Sequence, residues 1–175
     1  MRAPQSVDVT IKLPFLELRG SWAPDERERE AGWELYVELV TRVAVVELKP
    51  GEGGLEEALS SLYSLFGITR EILRRYGPAI ARPGDEGSLS LGEIAVSVLN
   101  YGLRPFLTRW HTELSDYAAK RPAGTSAIAH EQAWSRAPEL RQELGELRLW
   151  ISQYAEALQT AAGVAPLIPL PPADS

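Results

Sequence analysis

The chain has 175 residues, no cysteine and a formal net charge of −6. Its length and ordinary globular composition predict one domain, and the absence of cysteine excludes disulfides, thiol nucleophiles and thiolate metal sites. The acidic balance argues against non-specific binding to nucleic acid or to an anionic membrane. No apolar run suits a signal peptide or a membrane span, so we expect a cytoplasmic protein.

The first segment alternates apolar and polar residues. The apolar ones are Val7, Val9, Ile11, Leu13, Leu16 and Leu18. This period of two predicts a strand with one buried face, and Pro14 confines the segment to a hairpin or a sheet edge. We predict that residues 1–23 are a strand or hairpin appendage. It lies on the helices as a flap or offers an open edge to a partner strand.

Residues 24–163 carry helical periodicity and predict a mainly all-α fold, an up-down four-helix bundle. Pro24 and Asp25 suit the start of the first helix, which we expect to continue through residues 43–48, a stretch rich in β-branched side chains. The second helix is predicted over 55–76, where apolar residues recur at alternating spacings of four and three. One face of that helix carries small residues, and we expect this face to contact either solvent or another helix. The small residues are Ser60, Ser64 and Gly67.

Ser90 and Glu93 match a capping box that begins the third helix. Pro105 lies inside the periodic pattern of this helix and predicts a kink. Pro138 is expected to restart or kink the fourth helix. An apolar seam over 140–161 repeats the spacing of the second helix, so we expect these two helices to pack side by side and nearly antiparallel.

Residues 164–175 form a proline-rich tail with the P-x-x-P spacing of Pro166 and Pro169. Such a sequence favours an extended conformation. The tail folds back on the bundle, frays, or docks on a partner chain. Its apolar residues favour docking, in cis or in trans. They are Leu167, Ile168 and Leu170.

The sequence carries no recognisable catalytic or metal-binding motif. Its two histidines, His111 and His130, lack the spacing of metal ligands. The glycines of 51–54 lack the lysine and the spacing of a phosphate loop, and Glu52 would repel phosphate. We therefore expect a protein without enzymatic activity, cofactor or metal.

A polar stripe marks one face of the third helix. It consists of Asn100, Arg104, Thr108 and His111. One interpretation is a polar ladder between helices, in which Arg104 pairs with a glutamate of the first or fourth helix. The other is a contact surface for a protein partner or a small anionic ligand, centred on Arg104 and Arg109. Trp110 would then be an aromatic anchor.

The segment from Arg104 to His111 has an R-x6-H spacing and resembles the motif of the HEPN ribonucleases. Members of that family are helical bundles that commonly dimerise to build an active site. The resemblance covers eight residues, and Pro105 stands where the family usually has a polar residue. It implies that Arg104 binds phosphate and that His111 acts as acid or base.

We predict a non-catalytic protein-interaction or scaffold subunit of a cytosolic bacterial assembly. Of its basic residues 15 are Arg and three are Lys, which fits a GC-rich coding genome. The partners are proteins, including a second copy in a homodimer, and neither nucleic acid nor membrane is expected. A HEPN-like ribonuclease is one alternative, and a small-ligand sensor with a pocket at the Pro105 kink is another.

Overall fold

The secondary structure comes from a computed structural model that describes residues 3–42, 53–82 and 84–169. Within these ranges the strands are β1 (Val7–Leu13), β2 (Leu16–Trp22) and β3 (Ser88–Leu89). The α-helices are α1 (Glu26–Val40), α2 (Leu55–Tyr76), α3 (Leu91–Ser97), α4 (Arg104–Ala118), α5 (Ala127–Gln132) and α6 (Ala137–Ala162). A 3₁₀ helix spans Gly77–Ala81, and a π-helical segment spans Val98–Leu103. The prediction of a mainly helical chain with N-terminal β-structure is confirmed.

The N-terminal strands form a hairpin that supplies one wall of the core. β1 and β2 are antiparallel, from the pair Val7 and Trp22 to the pair Leu13 and Leu16, so Pro14 and Phe15 form the turn. The apolar side chains of β1 are buried and alternate with exposed ones, as predicted. Because α6 packs against this buried face, the apolar side chains of β1 are part of the core.

The short strand β3 completes the sheet by pairing in parallel with β2. Its two residues are too few to show a periodicity, so the sequence did not predict this strand.

Helix α1 begins where predicted, with Asp25 as its N-cap in a capping box with Glu28. Glu28 is buried, and its carboxylate also accepts hydrogen bonds from outside the capping box. Its Oε1 accepts hydrogen bonds from Trp22 Nε1 at 3.2 Å and from the Leu91 backbone N–H at 2.8 Å. One carboxylate therefore joins β2 and the first turns of α1 and α3. The predicted continuation through 43–48 lies outside the described residues.

Helix α2 has the predicted bounds, but its N-terminus is capped by a distant residue. Gly54 is the N-cap and offers no side chain. The carboxylate of Glu131 on α5 accepts the Leu55 N–H at 2.8 and 2.9 Å and the Glu56 N–H at 3.3 Å. Because Glu131 is buried, this interaction fixes α5 against the start of α2.

The two apolar seams do not face each other. Helix α6 packs mainly along α1 and against β1, and α2 packs against α1 and α4. The side-by-side pairing of α2 with α6 was therefore wrong, because a helical seam shows which face is buried but not what covers it. Pro138 lies in the first turn of α6 and starts the helix without kinking it. The four-helix bundle stays a prediction.

The third predicted helix is a continuous run of α3, the π-helical segment and α4. Ser90 and Glu93 form the predicted capping box. The Arg104 N–H bonds to the Leu99 carbonyl, five residues back. Pro105, which has no N–H to continue the α-helical ladder, follows at once. The distortion expected here takes the form of a π-helical turn.

Candidate functional site

A groove of about 730 Å³ opens between the hairpin turn, the start of α4 and the middle of α6. We name it the hairpin groove. Its apolar lining consists of Pro14, Phe15, Gly102, Pro105, Phe106, Leu147, Leu149 and Trp150. Its polar lining consists of Lys12, Arg109, Glu143, Glu146 and Gln153. An apolar floor with a few polar groups is the usual composition of a binding site.

Phe15 stands at the edge of this groove and is 81% exposed. The pairing of Leu13 with Leu16 fixes the two-residue turn, which holds Phe15 away from the core. Leu16 beside it is 40% exposed. Two neighbouring apolar side chains at the hairpin turn therefore remain in water next to an apolar groove, which is typical of a surface that another molecule covers.

The floor of the groove depends on Gly102 in the π-helical segment. A Cβ atom at this position would lie 2.8 Å from Trp150 Cη2 and 3.1 Å from Leu13 Cδ2. The absence of a side chain thus lets the Trp150 ring of α6 lie directly against the helix backbone.

Arg109 at the rim is already neutralised. Its guanidinium donates hydrogen bonds to Glu139 and Glu143, each at 2.6 Å. The Arg136 hydrogen bond, assisted by its charge and that of Arg109, lowers the pKa of Glu139. Two carboxylates therefore hold Arg109, one of the two residues on which the predicted anion site was centred.

Trp110 is buried and cannot be the surface anchor that was predicted. Its Nε1 donates to Glu143 Oε2 at 2.6 Å, and the guanidiniums of Arg109 and Arg136 lie 4.6 and 4.5 Å from its ring. Other tryptophans are equally internal. Trp22, Trp134 and Trp150 are each less than 8% exposed, whereas Trp33 is 38% exposed. Most tryptophans therefore stabilise the core.

The predicted polar stripe opens on a second hollow, of about 330 Å³, between α2 and α4. We name it the arginine hollow. It is lined by Tyr63, Phe66, Arg70, Arg104, Leu107, Thr108, His111 and Thr112. Three predicted residues thus come together here, Arg104, Thr108 and His111, whereas Arg109 and Trp110 belong to other surroundings. Tyr63 and Arg70 were missed, because neither lies on the apolar seam of α2.

Within residues 3–42, 53–82 and 84–169, Arg104 has no ion pair with a glutamate, so the predicted polar ladder is not seen in that part of the chain. Its Nε and Nη2 donate to Asn100 Oδ1, one turn back on the same stretch of helix, at 3.1 and 3.0 Å. Its guanidinium lies 5.4 Å from the Phe66 ring centroid. The His111 ring lies 5.7 Å from that of Tyr63. The stripe therefore contacts aromatic rings of α2.

The described part of the tail folds back in cis. The Leu167 N–H donates to the Tyr36 hydroxyl of α1 at 2.9 Å, and Ile168 packs against the core. Leu167 itself is 56% exposed. Leu170 lies outside the described residues. The small-residue face of α2 is exposed, as one of the two predictions had it.

No protein-family model, curated protein or solved structure matches the chain. Across residues 3–42, 53–82 and 84–169, no three acidic or histidine side chains cluster as metal ligands would. In the same part of the chain no helix combines the length and apolar character needed to cross a membrane.

Proposed function

We propose that the protein is a non-catalytic interaction or scaffold subunit of a cytosolic bacterial multiprotein assembly, and that the hairpin groove is its contact surface. The observation that carries the proposal is the 81% exposure of Phe15 at the hairpin turn beside an apolar floor. Burying a Phe side chain gains about 1.5–3 kcal/mol, and aromatic residues are enriched at the centres of protein interfaces.

The charges around the groove support a protein partner. Lys12 on β1 and Glu146 on α6 are exposed, while Arg109 and Glu143 neutralise each other. An apolar centre with a mixed polar rim is the usual anatomy of a protein interface. The partner is accordingly a folded chain or peptide that inserts apolar side chains beside Phe15. A second copy of this chain in a homodimer meets the same requirement.

The test replaces Phe15 by a photo-crosslinking phenylalanine analogue, which keeps the aromatic shape. Deletion of the hairpin is unsuitable, because β1 supplies buried core residues. The matched control carries the analogue at Ile128, which is 53% exposed on α5 and does not line the groove. We expect one discrete crosslinked protein adduct when the analogue is at position 15, and no such adduct when it is at position 128. Equal adducts at both positions, or none at 15, would contradict it.

A small-ligand sensor is the second candidate, and the position of the groove at Pro105 favours it. Its volume of about 730 Å³ lies within the range of small-molecule sites, about 300–1,000 Å³. A ligand found by thermal-shift screening should lose its stabilising effect in Leu149→Trp, which narrows the groove, and retain it in Ile128→Ala. If the ligand stabilises both variants, this candidate is eliminated.

A further inference from the structure

The arginine hollow holds two cationic side chains that have no carboxylate partner among the described residues. Arg70 lies on α2 and Arg104 on α4. In the portion of the chain that the structure describes, neither pairs with Asp or Glu, and Arg104 donates only two of its five N–H groups, from Nε and Nη2, to Asn100 Oδ1. None of the residues that line the hollow is acidic. Other arginines of the protein do have acidic partners. They include Arg42, Arg75, Arg109 and Arg136.

The same hollow presents an aromatic surface. Tyr63 is 61% exposed, and its ring centroid lies 6.2 Å from that of Phe66 and 5.7 Å from that of His111. An exposed Tyr ring offers a face on which a flat aromatic group can stack. The hydroxyls of Thr108 and Thr112 add hydrogen-bond donors on the α4 side.

We propose that the arginine hollow binds a small phosphate monoester that carries an aromatic ring, of the nucleoside monophosphate class. A phosphate monoester carries about −1.5 to −2 charges at neutral pH, which matches two guanidiniums better than a monocarboxylate does. Arginine also binds phosphate oxygens through paired N–H groups. The ring of the ligand stacks on Tyr63. This site is separate from the hairpin groove and does not depend on the function proposed for it.

Isothermal titration calorimetry on the full chain tests the proposal with three probes: adenosine monophosphate, adenosine and inorganic phosphate. The nucleotide should bind more tightly than either fragment, because only it uses both the arginines and the ring. Arg70→Gln and Arg104→Gln should each weaken nucleotide binding about tenfold or more. The matched control Arg74→Gln is exposed on α2 outside the hollow and should leave binding unchanged.

Tyr63→Leu separates the two parts of the site. In this variant the nucleotide should bind no more tightly than inorganic phosphate, while the affinity for inorganic phosphate stays unchanged. Far-UV circular dichroism confirms that each variant is folded. Absence of nucleotide binding up to about 10 mM, well beyond the range of specific sites, would overturn the proposal. An equal loss of nucleotide affinity in Arg74→Gln would also overturn the proposal. Tighter binding or cleavage of a single-stranded RNA oligonucleotide would assign the hollow to nucleic acid instead.

Discussion

Replacement of Glu28 should destabilise the protein far more than replacement of a neighbouring glutamate in the same helical turn. The buried carboxylate accepts hydrogen bonds from Trp22 Nε1, the Leu91 N–H and the Asp25 N–H. Hydrogen bonds to charged groups contribute about 1.5–3 kcal/mol each, and a buried donor left unpaired costs about 1–3 kcal/mol. Glu28→Ala strands two buried donors, so we expect a loss of about 3–5 kcal/mol. Glu28→Gln keeps an acceptor oxygen and should lose about 1–2 kcal/mol.

Urea unfolding followed by circular dichroism measures these losses at neutral pH. Glu26→Ala is the control, because Glu26 is exposed in the same turn and its removal changes the helix-end charge equally. A double-mutant cycle with Trp22→Phe, which lacks the indole N–H, should show a coupling energy of about 0.5–3 kcal/mol. If Glu28→Ala and Glu26→Ala lower the free energy of unfolding by amounts that agree within about 0.5 kcal/mol, Glu28 does not join the sheet to the two helices.

Three further outcomes are expected. Glu131→Ala should cost about 2–4 kcal/mol in urea unfolding, because the buried Leu55 N–H loses its acceptor; a loss below about 0.5 kcal/mol would contradict this capping role. Gly102→Ala should lower stability by about 1–2 kcal/mol, since overpacking against Trp150 outweighs the gain in helix propensity; unchanged or increased stability would contradict that close packing. Burial raises the pKa of Tyr76 to about 12, so the stability from its protonated hydroxyl is present below pH 10.0 and lost as the pH rises through about 12. Tyr76→Phe should therefore reduce the alkaline loss of stability, and an unchanged alkaline profile would contradict the assignment.

The elements that sequence predicted well are those whose signal is local. The alternation from Val7 to Leu13 follows from the strand geometry, and the bounds of α2 follow from an apolar seam that ends at a Gly-Pro pair. The Ser90 capping box is equally local, because its two partners are three residues apart. Each pattern contains its own structural reason and needs no knowledge of the rest of the fold.

What was missed depends on contacts between distant parts of the chain. Glu131 caps a helix that begins 76 residues earlier in the chain, and nothing in its local sequence indicates this. The apolar seam of α6 does not reveal which element covers it, because α1 and β1 present apolar faces just as α2 does. The hairpin groove was anticipated only as a pocket near Pro105; its other walls come from Phe15 and Trp150, far away in sequence.

The interaction proposal predicts that Phe15 contributes to binding and not to stability. Once the crosslinked partner is purified, its affinity for wild type, Phe15→Ala and Ile128→Ala can be measured by calorimetry. A hot-spot residue is worth about 2 kcal/mol or more, so Phe15→Ala should bind about thirtyfold more weakly with an unchanged unfolding midpoint. Ile128→Ala should bind as wild type does. Equal affinities for all three proteins would show that the hairpin groove is not the contact surface.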